Sequence, residues 1–394
     1  VIPDAGGPFQ EEEEGVRISG MKIVFVLVMA ALLSGCAGLS PNQAVIEEIS
    51  PIILMYLDED DNSALQSTIV IPAARDERKQ VMTVRGSLVL ENKDKLNHRF
   101  YRQIRSGQLR MLFFSEELAK KGKVMQRLNA FLRVPEISGR LRLAVVRGDF
   151  ESFLQSQINR QEGVDVYLYK MFTHYERQGD MAIVNAHLFL ENYYSPYSDP
   201  ILPIFTVEQD QLVYAGSALF QNDRLVKTIP AEDDHLFQTI ARARRFHTLI
   251  PLPEHNIVLG KMFSTRQIRF ADRYREGFVT VRLRGRVEEY TGDKDLSDPE
   301  QAASLTRELE QHLEERIRKQ IRDFQKLSID PMQLGLRTLK LFRQPLSGSE
   351  WKRRWLHLPV TVRVELALDN FGSVKVKPKN RDRVNVSDSR EALP

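Results

Sequence analysis

Residues 278–287, FVTVRLRGRV, place Val279, Val281, Leu283 and Val287 on one face and Thr280, Arg282, Arg284 and Arg286 on the other, the period of a half-buried strand. Residues 360–368, VTVRVELAL, repeat the alternation through Val360, Val362, Val364, Leu366 and Leu368. Between these strands the sequence turns helical. Asp298-Pro299-Glu300-Gln301 supplies an N-cap, a proline at the first helical position and a glutamine placed to close a capping box. Leu305, Leu309, Leu313, Ile317, Ile321 and Phe324 then recur on one face of a helix that should run to about Leu327. A long amphipathic helix must therefore lie across a sheet. A second helix is expected over Met332 to Phe342, and Trp351 and Trp355 follow at i, i+4 spacing, as core or interface anchors more readily than as a ligand cage.

Working outward, Ile52 to Leu57, Leu65 to Ile71 and Val81 to Leu90 read as strands, and Leu109 to Phe114 as a buried strand. Ser115 with Glu116 and Glu117 opens a helical stretch that continues through Val124, Leu128, Phe131 and Leu132 until Pro135. Arg140 to Arg147 alternates again, and Asp149 caps another helix. Beyond the turn-rich run from Tyr193 to Pro200, Ile201 to Val207 and Leu212 to Phe220 are strand-like, with a helix through Leu236 and Ile240 after them. The basic run Arg242-Ala243-Arg244-Arg245 suits a solvated helix C-terminus better than a lipid or partner contact.

The expected architecture is a mixed α/β (α+β) chain of three small domains. Each is a mostly antiparallel or mixed sheet with packed helices, with boundaries at 51–197, 198–253 and 254–374 and a charged, disordered tail over 375–394.

The N-terminal region carries an address. A charge-free run from Ile23 to Leu33 ends in Leu33-Ser34-Gly35-Cys36, which holds the sole cysteine of the chain. The run is too short for the roughly 20 residues of a membrane-spanning helix. Small residues before a cysteine suit a lipoprotein signal peptidase, which would leave Cys36 as a diacylglyceryl-bearing N-terminus after removing residues 1–35. Two acyl chains on one residue hold a protein stably to a membrane. Translation is expected to start at Met21, with Lys22 as the basic residue, because the acidic run Glu11 to Glu14 opposes export. Residues 36–50 would be the lipid anchor and linker.

The formal charge is +3 over 394 residues. Removing residues 1–35 takes away Arg17, Lys22 and five carboxylates, Asp4 and Glu11 to Glu14, which leaves +6 on the mature chain. That is too diffuse to argue for nucleic acid and suits a place near an anionic leaflet. Without a second cysteine the exported chain has no disulfide and rests on packing. Histidines 98, 174, 187, 235, 247, 255, 312 and 357 form no metal-ligand spacing and no triad context. No glycine-rich phosphate loop, no Gly-x-Ser-x-Gly and no free thiol remain once Cys36 is acylated. Asp58-Glu59-Asp60-Asp61 lacks the spaced ligands and glycine of a calcium loop and reads as a solvated acidic turn. Neither a catalytic residue nor a metal or cofactor is expected.

Several runs carry a family resemblance. They are Gly107-Gln108-Leu109-Arg110 through Phe114-Ser115-Glu116-Glu117-Leu118-Ala119, then Phe131-Leu132-Arg133-Val134-Pro135-Glu136-Ile137, then Asp199-Pro200-Ile201-Leu202-Pro203-Ile204. Tyr214-Ala215-Gly216 through Leu219-Phe220 to Arg224-Leu225-Val226 continues the series. With the lipobox and the strand–helix–tryptophan–strand layout near the end, they resemble the Ger(x)C spore germination lipoproteins over nearly the whole mature chain. Departures are Ala37-Gly38 where a Trp-Asp dipeptide is usual, Gln108 where histidine is common, and Val134 in place of an acidic residue.

The resemblance implies a non-catalytic C subunit of a nutrient germinant receptor. Such a subunit would be held on the outer face of the inner spore membrane, beside membrane-embedded A and B subunits. The competing reading is a lipid-anchored solute-binding protein feeding a transporter, which should show two large parallel-sheet lobes around a cleft. An exported hydrolase would need a nucleophile that the sequence does not supply.

Overall fold

The computed structural model describes residue 25 and residues 48–60, 62–72, 79–160, 163–178, 181–241, 249–339 and 345–368. From Ile49 onward they belong to one unit. The chain begins with β1 (Ile49–Pro51), β2 (Leu54–Glu59), β3 (Leu65–Ile71), β4 (Gln80–Gly86), α1 (Val89–Asn97), β5 (Gln103–Arg105) and β6 (Met111–Ser115). It continues with α2 (Glu116–Lys120), α3 (Val124–Leu132), β7 (Arg142–Arg147), α4 (Phe150–Arg160), α5 (Val164–Gln178), β8 (Val184–Asn185) and α6 (Ala186–Tyr194). Then come β9 (Ile201–Glu208), β10 (Gln211–Gln221), β11 (Arg224–Pro230) and α7 (Ala231–Ala241). The last part holds β12 (Ile250–Leu252), β13 (Ile257–Phe270), β14 (Gly277–Tyr290), α8 (Pro299–Lys326), α9 (Gly348–Trp355) and β15 (Val360–Leu368).

A nine-stranded sheet runs in the order β11-β10-β9-β7-β6-β2-β3-β4, with β8 attached to β7. Its centre, β2, β6, β7 and β9, is parallel and both flanks are antiparallel. Central strands such as Met111–Phe114 and Leu143–Val146 are apolar throughout because both of their faces are covered. On one face Tyr56, Phe113, Val146 and Phe205 meet Phe150 and Phe153 of α4 and Leu168 and Phe172 of α5. The other face, with Leu57, Leu112, Phe114 and Val145, packs into the larger core that extends to the last sheet. The mixed α/β class with packed helices is the observed one.

Local capping reads as the sequence suggests. Ser115 Oγ accepts the Leu118 N–H at 3.1 Å and Asp149 Oδ1 accepts that of Ser152 at 2.9 Å. The expected strand over Val81–Leu90 stops at Gly86 instead. Glu91 accepts the N–H groups of Ser87 at 2.8 Å and Leu88 at 3.2 Å, so a helix begins where extended residues were expected.

The boundary expected at 197/198 lies inside the nine-stranded sheet, because β9 joins β7 in parallel with Val145 opposite Ile204. The boundary at 253/254 falls between β12 and β13, which pair with each other. Turn-rich sequence marks a connection, and nothing local in it says whether the next strand opens a new sheet or extends the old one. Gly216 sits at the bulge of β10 with φ of 124°, where a Cβ would run into the Ile229 carbonyl of β11.

The last sheet has the order β12-β13-β14-β15, with β15 parallel to β14. Helix α8 spans the expected length, and Leu305, Leu309, Leu313, Ile317, Ile321 and Phe324 are all buried against it. Asp298 Oδ1 accepts the Glu300 N–H at 2.9 Å, while Gln301 bridges the Asp298 carboxylate and the Asp295 N–H. Glu314 and Glu310 of α8 accept the outward N–H groups of Val364 at 2.9 Å and Leu366 at 2.8 Å, which protects the free edge of β15.

The helix expected over Met332–Phe342 is, among described residues, only a 3₁₀ turn over Gly335–Thr338, and residues 340–344 lie outside them. Gln333 has a φ of 59°, and Asp330 takes the N–H groups of Leu334 at 3.0 Å and Gly335 at 2.7 Å that a helix would use internally. Trp351 and Trp355 are core residues, stacked with ring centroids 5.5 Å apart, and Trp355 Nε1 donates to the Ile329 carbonyl at 2.7 Å. Gly335 has no room for a Cβ beside the Trp351 indole.

Asp330 is the polar tie between the two sheets. Its N–H donates to Asp199 Oδ2 at 2.7 Å and its carbonyl accepts the Asp199 N–H at 3.2 Å. Burial pushes the Asp330 carboxyl up to about 7 and raises that of Asp199, against the pull of the bonded N–H groups. Nearby, burial pushes the Arg266 guanidinium down to about 10, and this group donates to the carbonyls of Ile240 and Met332.

Leu313→Asp should abolish cooperative unfolding of the chain, since an unpaired carboxylate in this core costs several kcal/mol, of the order of the whole stability of a domain. A variant whose circular dichroism melt kept the wild-type Tm would refute the helix placement. Asp330 holds its proton more tightly folded than unfolded, where it titrates near about 4. Its contribution is therefore complete below about pH 4 and is lost as pH rises through about 7. Asp330→Asn, neutral throughout, should gain Tm relative to wild type between those pH values, and a difference that stays flat with pH would contradict this assignment.

Candidate functional site

Cys36, with Leu33, Ser34 and Gly35, lies outside the described residues, as do the Arg242–Arg245 run and the 375–394 tail. Among the described residues no helix is long and apolar enough to cross a membrane. In the acidic run, Asp58 accepts the Glu59 N–H at 2.7 Å and Asp60 accepts that of Ala64 at 2.8 Å in the β2–β3 turn. Glu59 is buried, not solvated: it pairs with Lys123 and lies 3.7 Å from Arg127. Asp61 is outside the described residues. Each described carboxylate of this run thus serves the turn or the core.

Two histidines do meet. His255 and His312 stand edge to face with centroids 4.9 Å apart, and His312 Nε2 is 2.5 Å from Glu254. Among the described residues, no group of three or more His, Cys, Asp or Glu side chains is placed to hold a metal ion. Buried Asp234 accepts the Tyr214 hydroxyl at 2.5 Å and faces Gln238 and Ser217 inside the core, away from any surface cleft.

The surface that remains is built by the last sheet. Helix α8 covers its inner face, so alternation along each strand turns the remaining side chains outward. The registers bring Thr265, Arg282 and Glu365 into one row and Phe263, Arg284 and Ala367 into the next. Arg282 Nε lies 2.7 Å from Glu365, and Arg286 forks onto Glu288 at 2.7 and 2.9 Å. Arg286 holds the Glu288 carboxyl below the usual range by hydrogen bonding to it. Gly260 leaves room for Glu288 to lie flat on the sheet. A cavity of about 800 Å³ opens here, lined by Lys261, Phe263, Arg284, Arg286, Leu283 and Leu366 among others. Its size suits a ligand. Its arginines stay charged at every physiological pH, and Lys261, Glu310 and Glu365 stand beside them in the lining.

The arginine row of β14 was legible as the polar side of an alternating strand. The contribution of β13 was not, because Gly260 and the bulge before Phe263 break the alternation of residues 257–270.

The chain is similar to known proteins along most of its length. A family model described as the spore germination protein N-terminal domain matches residues 42–207, and one described as spore germination B3/GerAC-like, C-terminal, matches residues 215–372. Spore germination protein GerQC of Bacillus cereus is 20% identical over 361 residues, covering 89% of this chain and 98% of that one. The crystal structure of the GerBC protein matches with a TM-score of 0.52 at 13% identity, over 80% of this chain and 97% of its own, which is a likeness of fold. With the two family models together spanning most of residues 42–372, this chain belongs to the Ger(x)C family of spore germination proteins.

Proposed function

We propose that the protein is the lipid-anchored, non-catalytic C subunit of a nutrient germinant receptor, acting by contact with the membrane-embedded A and B subunits. The observation that carries this reading is the pairing of both germination-protein models across residues 42–372 with a Leu-Ser-Gly-Cys sequence immediately before them. Acylation of Cys36 would hold the folded body on the outer face of the inner spore membrane. Glu59, Asp199, Asp234 and Asp330 each have a partner within the fold, and the open surface is one of fixed charges and aromatic rings, which suits recognition of a partner.

Cys36→Ala should move the protein from the membrane fraction to the soluble one after a high-salt wash. Retention in the washed membrane would show that the acyl group is not the anchor. Spores lacking the chain should lose their response to a subset of nutrients while still germinating with a calcium chelate. An unchanged nutrient response, or loss of both responses, would overturn the receptor assignment.

A further inference from the structure

The outer face of the last sheet carries more charge than its fold requires. Lys261, Arg269, Arg282, Arg284, Arg286 and Arg363 are exposed on it, against the carboxylates of Glu276, Glu288 and Glu365. That is an excess of three cations on one face of a chain whose 56 basic and 53 acidic residues nearly balance. A solvated sheet face mixes both signs, so this one is segregated.

The arrangement is a plane. Alternate residues along a strand are roughly 6.6 Å apart and neighbouring strands about 4.8 Å apart, so while Lys261, Arg282, Arg284 and Arg286 line the cavity, Arg269 and Arg363 carry the cations beyond it across the sheet. A small anion needs convergent donors, whereas a surface of anions matches a dispersed array. Phe263 and Phe278 are 44% and 37% exposed among the cations. The cavity opens on the same face with Phe263 and Ala367 in its wall and Lys261, Arg282, Arg284 and Arg286 beside them, outnumbering Glu310 and Glu365. Apolar depth under a cationic rim is complementary to an amphiphile with an anionic head.

We propose that this face is a peripheral binding surface for anionic phospholipid, laid against the membrane in addition to the anchor at Cys36. It rests on the reading above only in that the anchor keeps a bilayer within reach. The attraction comes from charge at a surface, so it is screened by salt and grows with the anionic content of the leaflet.

The test uses the mature chain, residues 36–394, carrying Cys36→Ala so that no acyl group contributes. It is sedimented with vesicles of phosphatidylcholine alone or of phosphatidylcholine with phosphatidylglycerol. Binding is expected only to the phosphatidylglycerol vesicles, and it should fall steeply as salt is raised from about 0.05 to 0.5 M. The triple variant Lys261→Gln, Arg269→Gln, Arg363→Gln should bind at least about tenfold more weakly. A control triple variant at exposed positions elsewhere, Lys170→Gln, Arg177→Gln, Lys319→Gln, should bind as the parent does. Unchanged melting of both variants keeps folding out of the comparison.

No binding to anionic vesicles, equal binding to both vesicle types, or equal loss in the two triple variants overturns the proposal. So does capture of polyglutamate by a chain that ignores vesicles, which would make the face a protein-docking surface. Nutrient response does not enter the assay, so the receptor reading and this one fail separately.

Discussion

Burial of one face of α8 is the constraint on which the rest of the structure hangs. Leu305 through Ile321 cover the inner side of the last sheet, and at the C-terminal end of the helix Phe324 meets Phe237 of α7 edge to face, with centroids 5.7 Å apart. Lys227 of β11 pairs with Asp323 at 2.7 Å in the same region. The helix therefore belongs to the core of both sheets, and a single hydrophobic cluster runs from Ile52 to Leu366. Without a disulfide, this shared core has to supply what a crosslink supplies in many exported proteins.

Polar groups inside that core position the chain where apolar packing cannot. Asp330 and Asp199 exchange backbone and side-chain hydrogen bonds across the junction, and Arg266 closes the carbonyls of Ile240 and Met332 from the other side. Such groups are costly when buried, so a misdocked arrangement that left them unpaired would be strongly disfavoured. The same logic protects the edge of β15, where two glutamates of α8 occupy N–H groups that would otherwise invite another strand.

The chemistry is divided between core and surface. The buried carboxylates are engaged with backbone and core partners, while the open surface of the last sheet presents guanidinium groups and aromatic rings around a cavity. Family membership supplies the setting of spore germination. Within that setting, a rigid sheet held by α8 is a platform whose charges keep fixed positions, a better device for docking than a mobile loop.

Period alone determined much of this protein. The alternation of residues 278–287 and 360–368, the capped stripe of α8 and the caps at Ser115 and Asp149 are local patterns, and local stereochemistry decides them. The family runs were legible for the same reason. Tertiary structure decided what depends on distant partners: that β9 to β11 extend the first sheet, that Gly86 ends a strand because Glu91 caps the next helix, and that Asp330 dissolves the helix expected over Met332–Phe342. It also decided that the Glu59 carboxylate is buried against Lys123, and that Lys261 and Arg269 join the β14 arginines on one face. Strand partners and buried ion pairs link residues tens of positions apart, and no window of sequence contains the hydrogen bonds that choose between them.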